Sequence, residues 1–215
     1  MSTPVIGVVR VLSTTDPDAL QAHGRELQAA LAVRTIDRCI PDQPHGVHDE
    51  PTHRTAAPKV AELAAELVRD GADAVMISCA ADPGLAEARA VVDVPVIGAG
   101  SATAALAAAL GTRVGVLGIL DEPPEPYRLA LGERIVGTVA PRGVARATEL
   151  YTPEGAAGSL RASDDLVAAG ADVIAFACTG LTSLGLAQQI RDRHGVVVVD
   201  PVLAAGHAVC AALGH

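Results

Sequence analysis

Tryptophan is absent from this 215-residue chain, and phenylalanine and tyrosine together supply only three residues. Base stacking is therefore poorly provided for, and any core has to be built from aliphatic side chains. Positive charge is scarce as well. The formal net charge is −9, whereas a polyanion partner asks for a basic face. Lys59 is the only lysine, which leaves little choice of residue for a Schiff base with pyridoxal phosphate. No Cys-x-x-Cys occurs, so neither a zinc ribbon nor a thioredoxin-like motif is supported. Apolar runs are strand-sized and broken by Gly, Asp or Pro, well short of the roughly 20 residues that span a bilayer. Met1-Ser2-Thr3-Pro4-Val5 contains no basic segment leading into an apolar stretch and a cleavage site. These absences point to a soluble, cytoplasmic protein with neither nucleic acid nor membrane as partner. No cofactor and no metal are expected.

Half of the residues are hydrophobic, enough for one domain or for two lobes of about 100 residues, each with a core of its own. Two stretches favour the second arrangement. Gly71-Ala72-Asp73-Ala74-Val75-Met76-Ile77-Ser78-Cys79 is echoed by Gly170-Ala171-Asp172-Val173-Ile174-Ala175-Phe176-Ala177-Cys178. Each follows an Ala/Leu-rich helical pattern, crosses an apolar strand and reaches a cysteine. Downstream they rhyme again, in Val94-Pro95-Val96-Ile97 and Val196-Val197-Val198-Val199-Asp200-Pro201.

Along the chain, strands are expected over 5–12, 33–40, 74–78, 94–97, 113–119, 173–177 and 196–199. Helices are expected between them, and the 33–40 strand, which alternates apolar and polar residues, belongs near an edge. Asp16-Pro17 and Thr152-Pro153 read as helix starts. The helix before Gly71 begins at about Thr52 or Pro58, and residues 134–148 yield no clear element. Continuous aliphatic strands alternating with helices indicate parallel sheets covered on both faces. The fold expected is α/β, with two similar flavodoxin-like lobes, each a mostly parallel sheet flanked by helices. Residues 1–99 with 204–215 form the first lobe and 100–203 the second. Ligands of open parallel sheets bind beyond the carboxyl ends of the strands, which is where Cys79 and Cys178 lie.

A cysteine ending an apolar strand is ordinarily a small buried hydrophobe. Here two occupy equivalent points of two similar half-chains. Each precedes small residues, Ala80-Ala81 and Thr179-Gly180, that leave room for a ligand and expose backbone N–H groups. Each also precedes a helix, whose N-terminal dipole is expected to lower the thiol pKa below the reference of roughly 8.5. Cys39 and Cys210 have no such setting and read as structural, and all four thiols are expected to be reduced.

Ile77-Ser78-Cys79-Ala80-Ala81-Asp82-Pro83-Gly84-Leu85, followed by Val94-Pro95-Val96-Ile97-Gly98-Ala99-Gly100, resembles the first signature of the hydantoin racemases, within the aspartate/glutamate/hydantoin racemase superfamily. Ala177-Cys178-Thr179-Gly180-Leu181 resembles the second cysteine signature, and Val199-Asp200-Pro201-Val202 the closing segment. The resemblance covers most of the chain from Ala72 onward. It implies a cofactor-independent two-base isomerase, with Cys79 and Cys178 on opposite faces of an acidic carbon in the cleft between lobes. The substrate implied is a 5-substituted hydantoin or allantoin, and homo-oligomers are common among such proteins. Oriented N–H groups would hold the enolate-like oxygen. Candidate substrate contacts are Arg10, Ser13, Ala80, Ala81, Ser101, Thr179 and Gly180. The family's Asn-Pro-Asn-Ser/Thr after the first strand is replaced here by Val11-Leu12-Ser13-Thr14-Thr15. The Asn-Thr that follows the first cysteine in amino-acid racemases is replaced by Ala80-Ala81. Three alternatives stand beside this reading: a free amino-acid racemase, a maleate-type cis–trans isomerase, and a two-lobed binding protein without catalysis. An arylmalonate-type decarboxylase fits less well, since it needs one thiol.

Other residues carry two readings each. His45, His48 and His53, with Cys39 and Asp42 nearby, match no standard zinc spacing and read as solvated loop or as a loop facing the cleft. Asp82 reads as the cap of the helix begun by Pro83, or as a substrate contact. Thr179 caps a helix or bonds a substrate carbonyl. Ser101, in Gly98-x-Gly100-Ser101, is placed to bind an anion, although the third glycine of a dinucleotide fingerprint is missing. Pro123-Pro124-Glu125-Pro126 reads as a stiff connector.

Overall fold

Two four-stranded sheets, both wholly parallel, organise the protein. The computed structural model describes residues 3–215. Met1 and Ser2, the start of the expected first lobe and of the segment read for an export signal, lie outside the described residues. The first sheet runs in the order β2 (Arg34–Cys39), β1 (Val5–Arg10), β3 (Ala74–Ser78), β4 (Val96–Gly98), and the second in the order β6 (Ile135–Val139), β5 (Val114–Leu117), β7 (Val173–Phe176), β8 (Val197–Val199). Helices α1 (Pro17–Ala30), α2 (Glu50–Arg69), α3 (Leu85–Val91) and α4 (Ala99–Leu110) alternate with the first strands. They are followed by α5 (Glu125–Leu131), α6 (Pro153–Ala168), α7 (Leu186–His194) and α8 (Pro201–Ala212).

The repeated Gly-Ala-Asp has one structural job in both lobes. Gly71 and Gly170 leave α2 and α6 with φ of +96° and +89°, a conformation open to glycine at little cost. The following alanines donate back to Leu67 and Leu166 carbonyls. The aspartates then hold the start of the neighbouring central strand: Asp73 accepts from the Val5 N–H, and Asp172 from those of Thr112 and Arg113. One helix exit is thereby locked to one strand start, twice.

Each sheet is covered on both faces, as continuous aliphatic strands require. In the first lobe Val9, Val75 and Ile77 pack on Val60 and Leu67 of α2, while Ile6, Val8 and Met76 pack on Leu27 of α1 and Val202 and Val209 of α8. In the second, Leu117, Ile174 and Phe176 meet Leu166 of α6 and Ile190 of α7, while Val114, Val116 and Ala175 meet Ala104 and Ala107 of α4. The helix following the last strand of each sheet thus contributes to the core of the other. Residue α4–α8 contacts join the two.

Several elements differ from the sequence expectation. β6 falls within the segment that yielded no clear element. All five of its residues are only partly buried, Gly137 interrupts it, and its register with β5 shifts between Val114 and Gly115. α2 starts earlier than expected, at Glu50, because Asp49 and Thr52 form a reciprocal cap, and Pro58 is accommodated inside the helix. α3 starts later, after Gly84, so Asp82 is not its cap. Among the described residues, no helix is long and apolar enough to cross a membrane.

The close fit of strand to helix is tested at the paired glycines of β1 and β5. A β-carbon on Gly7 would lie 2.9 Å from that of Leu67 and 3.1 Å from that of Ala72; on Gly115 it would lie 3.0 Å from that of Leu166 and 3.1 Å from that of Ala171. Gly7→Ala and Gly115→Ala should each destabilise by about 1–3 kcal/mol through overpacking, read as a lowered urea midpoint. An unchanged midpoint in both would show that the helices move aside freely.

Candidate active site

One cavity of about 340 Å³ lies at the carboxyl ends of the central strands of both sheets, bounded by Arg10 at the end of β1, Cys79 after β3, Gly118 after β5 and Cys178 after β7. The topology produces this directly. Strands of a parallel sheet end at the same side, and the lobes bring those sides together.

Cys79 and Cys178 both line the cavity, with only 8% and 9% of their surfaces exposed. Burial dominates their acidity, because a thiolate loses more hydration than a thiol. Cys79 is pushed up to about 12 and Cys178 to about 11. The expected lowering by a helix terminus is thus overturned. α3 begins six residues beyond Cys79, and Cys178 is followed by a short 3-10 helix (Thr179–Leu184) rather than an α-helix. Backbone N–H groups do oppose the effect of burial, those of Ala81 and Asp82 at Cys79 and those of Gly180 and Leu181 at Cys178. The thiols are not equivalent. Asp82 raises Cys79 further, while the Arg10 guanidinium favours the Cys178 thiolate.

Arg10 is buried at the cavity floor and donates through Nη1 to the carbonyls of Ala19 and Leu20 in α1. Ala80, Ala81, Thr179 and Gly180 also line the cavity. Gly180 is closely surrounded: a β-carbon there would stand 3.1 Å from Leu150 Cδ1, which would have to give by a few tenths of an ångström, and 3.5 Å from the Cys178 sulfur. The Thr179 hydroxyl donates to the Ser78 carbonyl at 3.3 Å, so its proton is already committed.

Two expected contacts lie elsewhere. Ser13 does not line the cavity; its hydroxyl donates to the Ile40 carbonyl and accepts from the Gln43 N–H, stapling two loops. Ser101 does not line it either. The Asp82 carboxylate occupies the N-terminus of α4, accepting from the N–H groups of Gly100 and Ser101 at 2.7 Å each and from the Ser101 hydroxyl. The chain's own carboxylate fills the place where an external anion was expected, and Asp82 adopts φ of +49° to reach it.

The histidine segment faces the cleft in part, and its last member, His53, lies in the first turn of α2 rather than in a loop. His48 and His53 line the cavity, with His53 Nε2 3.2 Å from the Ala81 carbonyl, while His45 does not. Among the described residues no group of three or more His, Cys, Asp or Glu side chains is placed to hold a metal ion. The four cysteines form no disulfide. The proline-rich connector contributes Glu122 to Glu125 to the cavity mouth. Tyr151 was not singled out from sequence, although it is one of only two tyrosines. It lines the same cavity, and its hydroxyl lies near Gly180.

The family model described as Asp/Glu/Hydantoin racemase matches residues 6–209. Among solved structures, the allantoin racemase of Klebsiella pneumoniae is similar at 25% identity and a TM-score of 0.82, over 99% of this chain and 89% of that one. The allantoin racemase of Pseudomonas fluorescens is similar at 25% identity and 0.80, over 98% and 92%. The glutamate racemase of Thermus thermophilus shares the fold at 17% identity and 0.66, over 99% and 80%. No curated protein sequence matches the chain.

The two thiols should differ in alkylation. Iodoacetamide consumes thiolate, so both should react slowly at pH 7.5 and faster as pH rises toward 11. Cys178 should lead Cys79 by about tenfold if thiolate fraction alone decides. Arg10→Gln removes the cation that favours the Cys178 thiolate, and should slow Cys178 more than Cys79. Peptide mass spectrometry reads each site separately; Cys79 leading in the wild type would contradict the electrostatic ordering.

Proposed function

The chain belongs to the Asp/Glu/hydantoin racemase family and is a racemase; we propose that it inverts the acidic carbon of a 5-substituted hydantoin or of allantoin, with Cys79 and Cys178 as opposed acid–base groups. The observation that carries this reading is the convergence of two thiols, from equivalent strand ends of two lobes, on one cavity.

In the productive form one sulfur is thiolate and the other thiol. The thiolate takes the proton from one face of the carbon, and the electron pair left behind delocalises onto the ring carbonyl oxygen. The opposing thiol then delivers its proton to the other face, which leaves the second sulfur as thiolate. The mirror-image substrate runs the same steps in reverse. A single base returning its proton to the same face would exchange hydrogen without inversion, so both sulfurs are required. Positioned acid–base groups of this kind contribute about 10²–10⁴-fold each.

The N–H groups of Ala81 and Gly180 point at the sulfurs and lower the cost of each thiolate in turn. Ala80 and Ala81 leave space beside Cys79 without a polar side chain for a free α-carboxylate, which favours the neutral ring of a hydantoin. Similarity to two allantoin racemases supports the same branch. A free amino acid or a maleate-type diacid is the second reading, and the observation in its favour is the Arg10 guanidinium at the cavity floor.

The test follows deuterium incorporation at the acidic carbon in D2O by NMR, with optical rotation in parallel. The panel holds single enantiomers of 5-methylhydantoin, 5-benzylhydantoin, allantoin, aspartate and glutamate, together with maleate. Wild type should deuterate and racemise a hydantoin or allantoin, and Cys79→Ala and Cys178→Ala should each lose racemisation by about 10²–10⁴-fold. Turnover of aspartate, glutamate or maleate alone would move the protein to the second reading. Full activity in either alanine variant would overturn the two-thiol mechanism.

A further inference from the structure

We propose that Thr179, Ser78 and His23 form a buried polar clamp between the lobes that fixes how far apart the two cysteines stand. The proposal rests on the two-thiol reading and assigns positioning residues to it. Thr179 Oγ1 donates to the Ser78 backbone carbonyl at 3.3 Å, joining the chain just after Cys178 to the chain just before Cys79. Adjacent Cα atoms are held about 3.8 Å apart by the trans peptide, so a bond between these neighbours constrains the cysteines themselves.

Ser78 is secured from behind. Its hydroxyl lies 2.6 Å from Nδ1 of His23, a residue in α1 with 1% of its surface exposed. Burial, reinforced by the nearby Arg10 charge, holds the imidazole well below its ordinary pKa, while the Thr179 backbone opposes this. A neutral ring carries no charge into the site. Nε2 of the same ring is buried without a hydrogen-bond partner, a rare condition for a polar side-chain atom. His23 therefore holds the Ser78 side of the clamp through Nδ1, and the nearby Thr179 backbone favours its protonated form.

A purely structural role explains the arrangement poorly. One neutral hydrogen bond of 3.3 Å adds little to stability beside the apolar contacts of Ala80 and Ala177 in the same region. With its single hydroxyl proton spent on Ser78, Thr179 can meet a substrate only as an acceptor. Position is where the clamp has leverage, since a misplacement of about 1 Å can cost about 10²-fold in rate.

The experiment compares Thr179→Val, Thr179→Ser and Ser78→Ala with wild type on single-enantiomer 5-methylhydantoin and allantoin. In Thr179→Val, kcat for racemisation should fall by about 10–100-fold. Deuterium exchange with retention should fall less, because one thiolate can still reach its own face, and KM should move by less than about threefold. Thr179→Ser restores the hydroxyl and should recover most of the loss, and Ser78→Ala should fall between. Wild-type racemisation in Thr179→Val would overturn the clamp. So would a parallel loss of exchange and inversion with a large rise in KM, which marks a direct substrate contact. A readout free of turnover is the ratio of Cys79 to Cys178 alkylation rates in the ligand-free protein, which should shift in Thr179→Val and return in Thr179→Ser. An unchanged ratio would overturn the clamp even if no hydantoin is a substrate, whereas failure of the two-thiol reading would show separately, as activity in a cysteine-to-alanine variant.

Discussion

Taking a thiol out of water costs its thiolate far more than the thiol itself, so burial of Cys79 and Cys178 alone would silence both as bases. The rest of the site can be understood as a response to that constraint. Backbone N–H groups of Ala81 and Gly180 face the sulfurs, and Arg10 adds a positive field on the Cys178 side. The same exclusion of water makes these modest donors count for more, because electrostatic interactions strengthen as the local dielectric falls. On the two-thiol reading, burial of the sulfurs also limits the access of bulk water to a carbanion formed between them, so that the new proton comes from the opposite sulfur. Dehydration thus raises the cost of the base and protects its product.

How the chain builds such a place follows from repetition. The Gly-Ala-Asp corner locks a helix exit to a strand start in each lobe, so β3 and β7 emerge from equivalent anchors and end at equivalent heights. The crossing of α4 into the second core and α8 into the first then ties the lobes together along their length. Neither lobe could be rotated far against the other without breaking both cores, and a cavity lined from both sides inherits that rigidity. The polar link from Thr179 to Ser78 crosses between the lobes within this frame, beside the cysteines themselves.

Much of this was legible in the sequence because it is written in local pattern. The echo of Gly71 to Cys79 in Gly170 to Cys178 placed both thiols at strand ends, and the helix starts at Pro17 and Pro153 follow from capping chemistry that neighbouring residues determine. What was not legible depends on partners distant in sequence. Asp82 beside Pro83 looks like a cap for its own helix, yet its carboxylate reaches α4, eighteen residues on. Ser13 stands near a strand end, but the Ile40 carbonyl turns it away from the cavity. His23 and Ser78 are 55 residues apart, and nothing in either segment announces their contact. β6 escaped notice because a half-buried edge strand carries little periodic signal.

The two halves repeat in backbone but not in charge, and the difference has a kinetic meaning on the two-thiol reading. In the first lobe the acid Asp82 sits on the loop after the cysteine and reaches the helix start. In the second the acid Asp200 sits at the helix start and Thr182 of the cysteine loop reaches back to it. The capping problem is solved in both lobes, yet only Cys79 has a carboxylate three residues away, and only Cys178 is favoured by Arg10. This asymmetry cannot bias the outcome for a substrate with one stereocentre, because enantiomers have equal free energies. It acts on the free enzyme, making the form with thiolate at Cys178 commoner than the form with thiolate at Cys79. The enantiomer that presents its hydrogen to Cys178 meets the commoner form. Values of kcat and KM can then differ between the two directions while kcat/KM stays equal in both, so a chemically lopsided cleft still delivers a symmetric reaction.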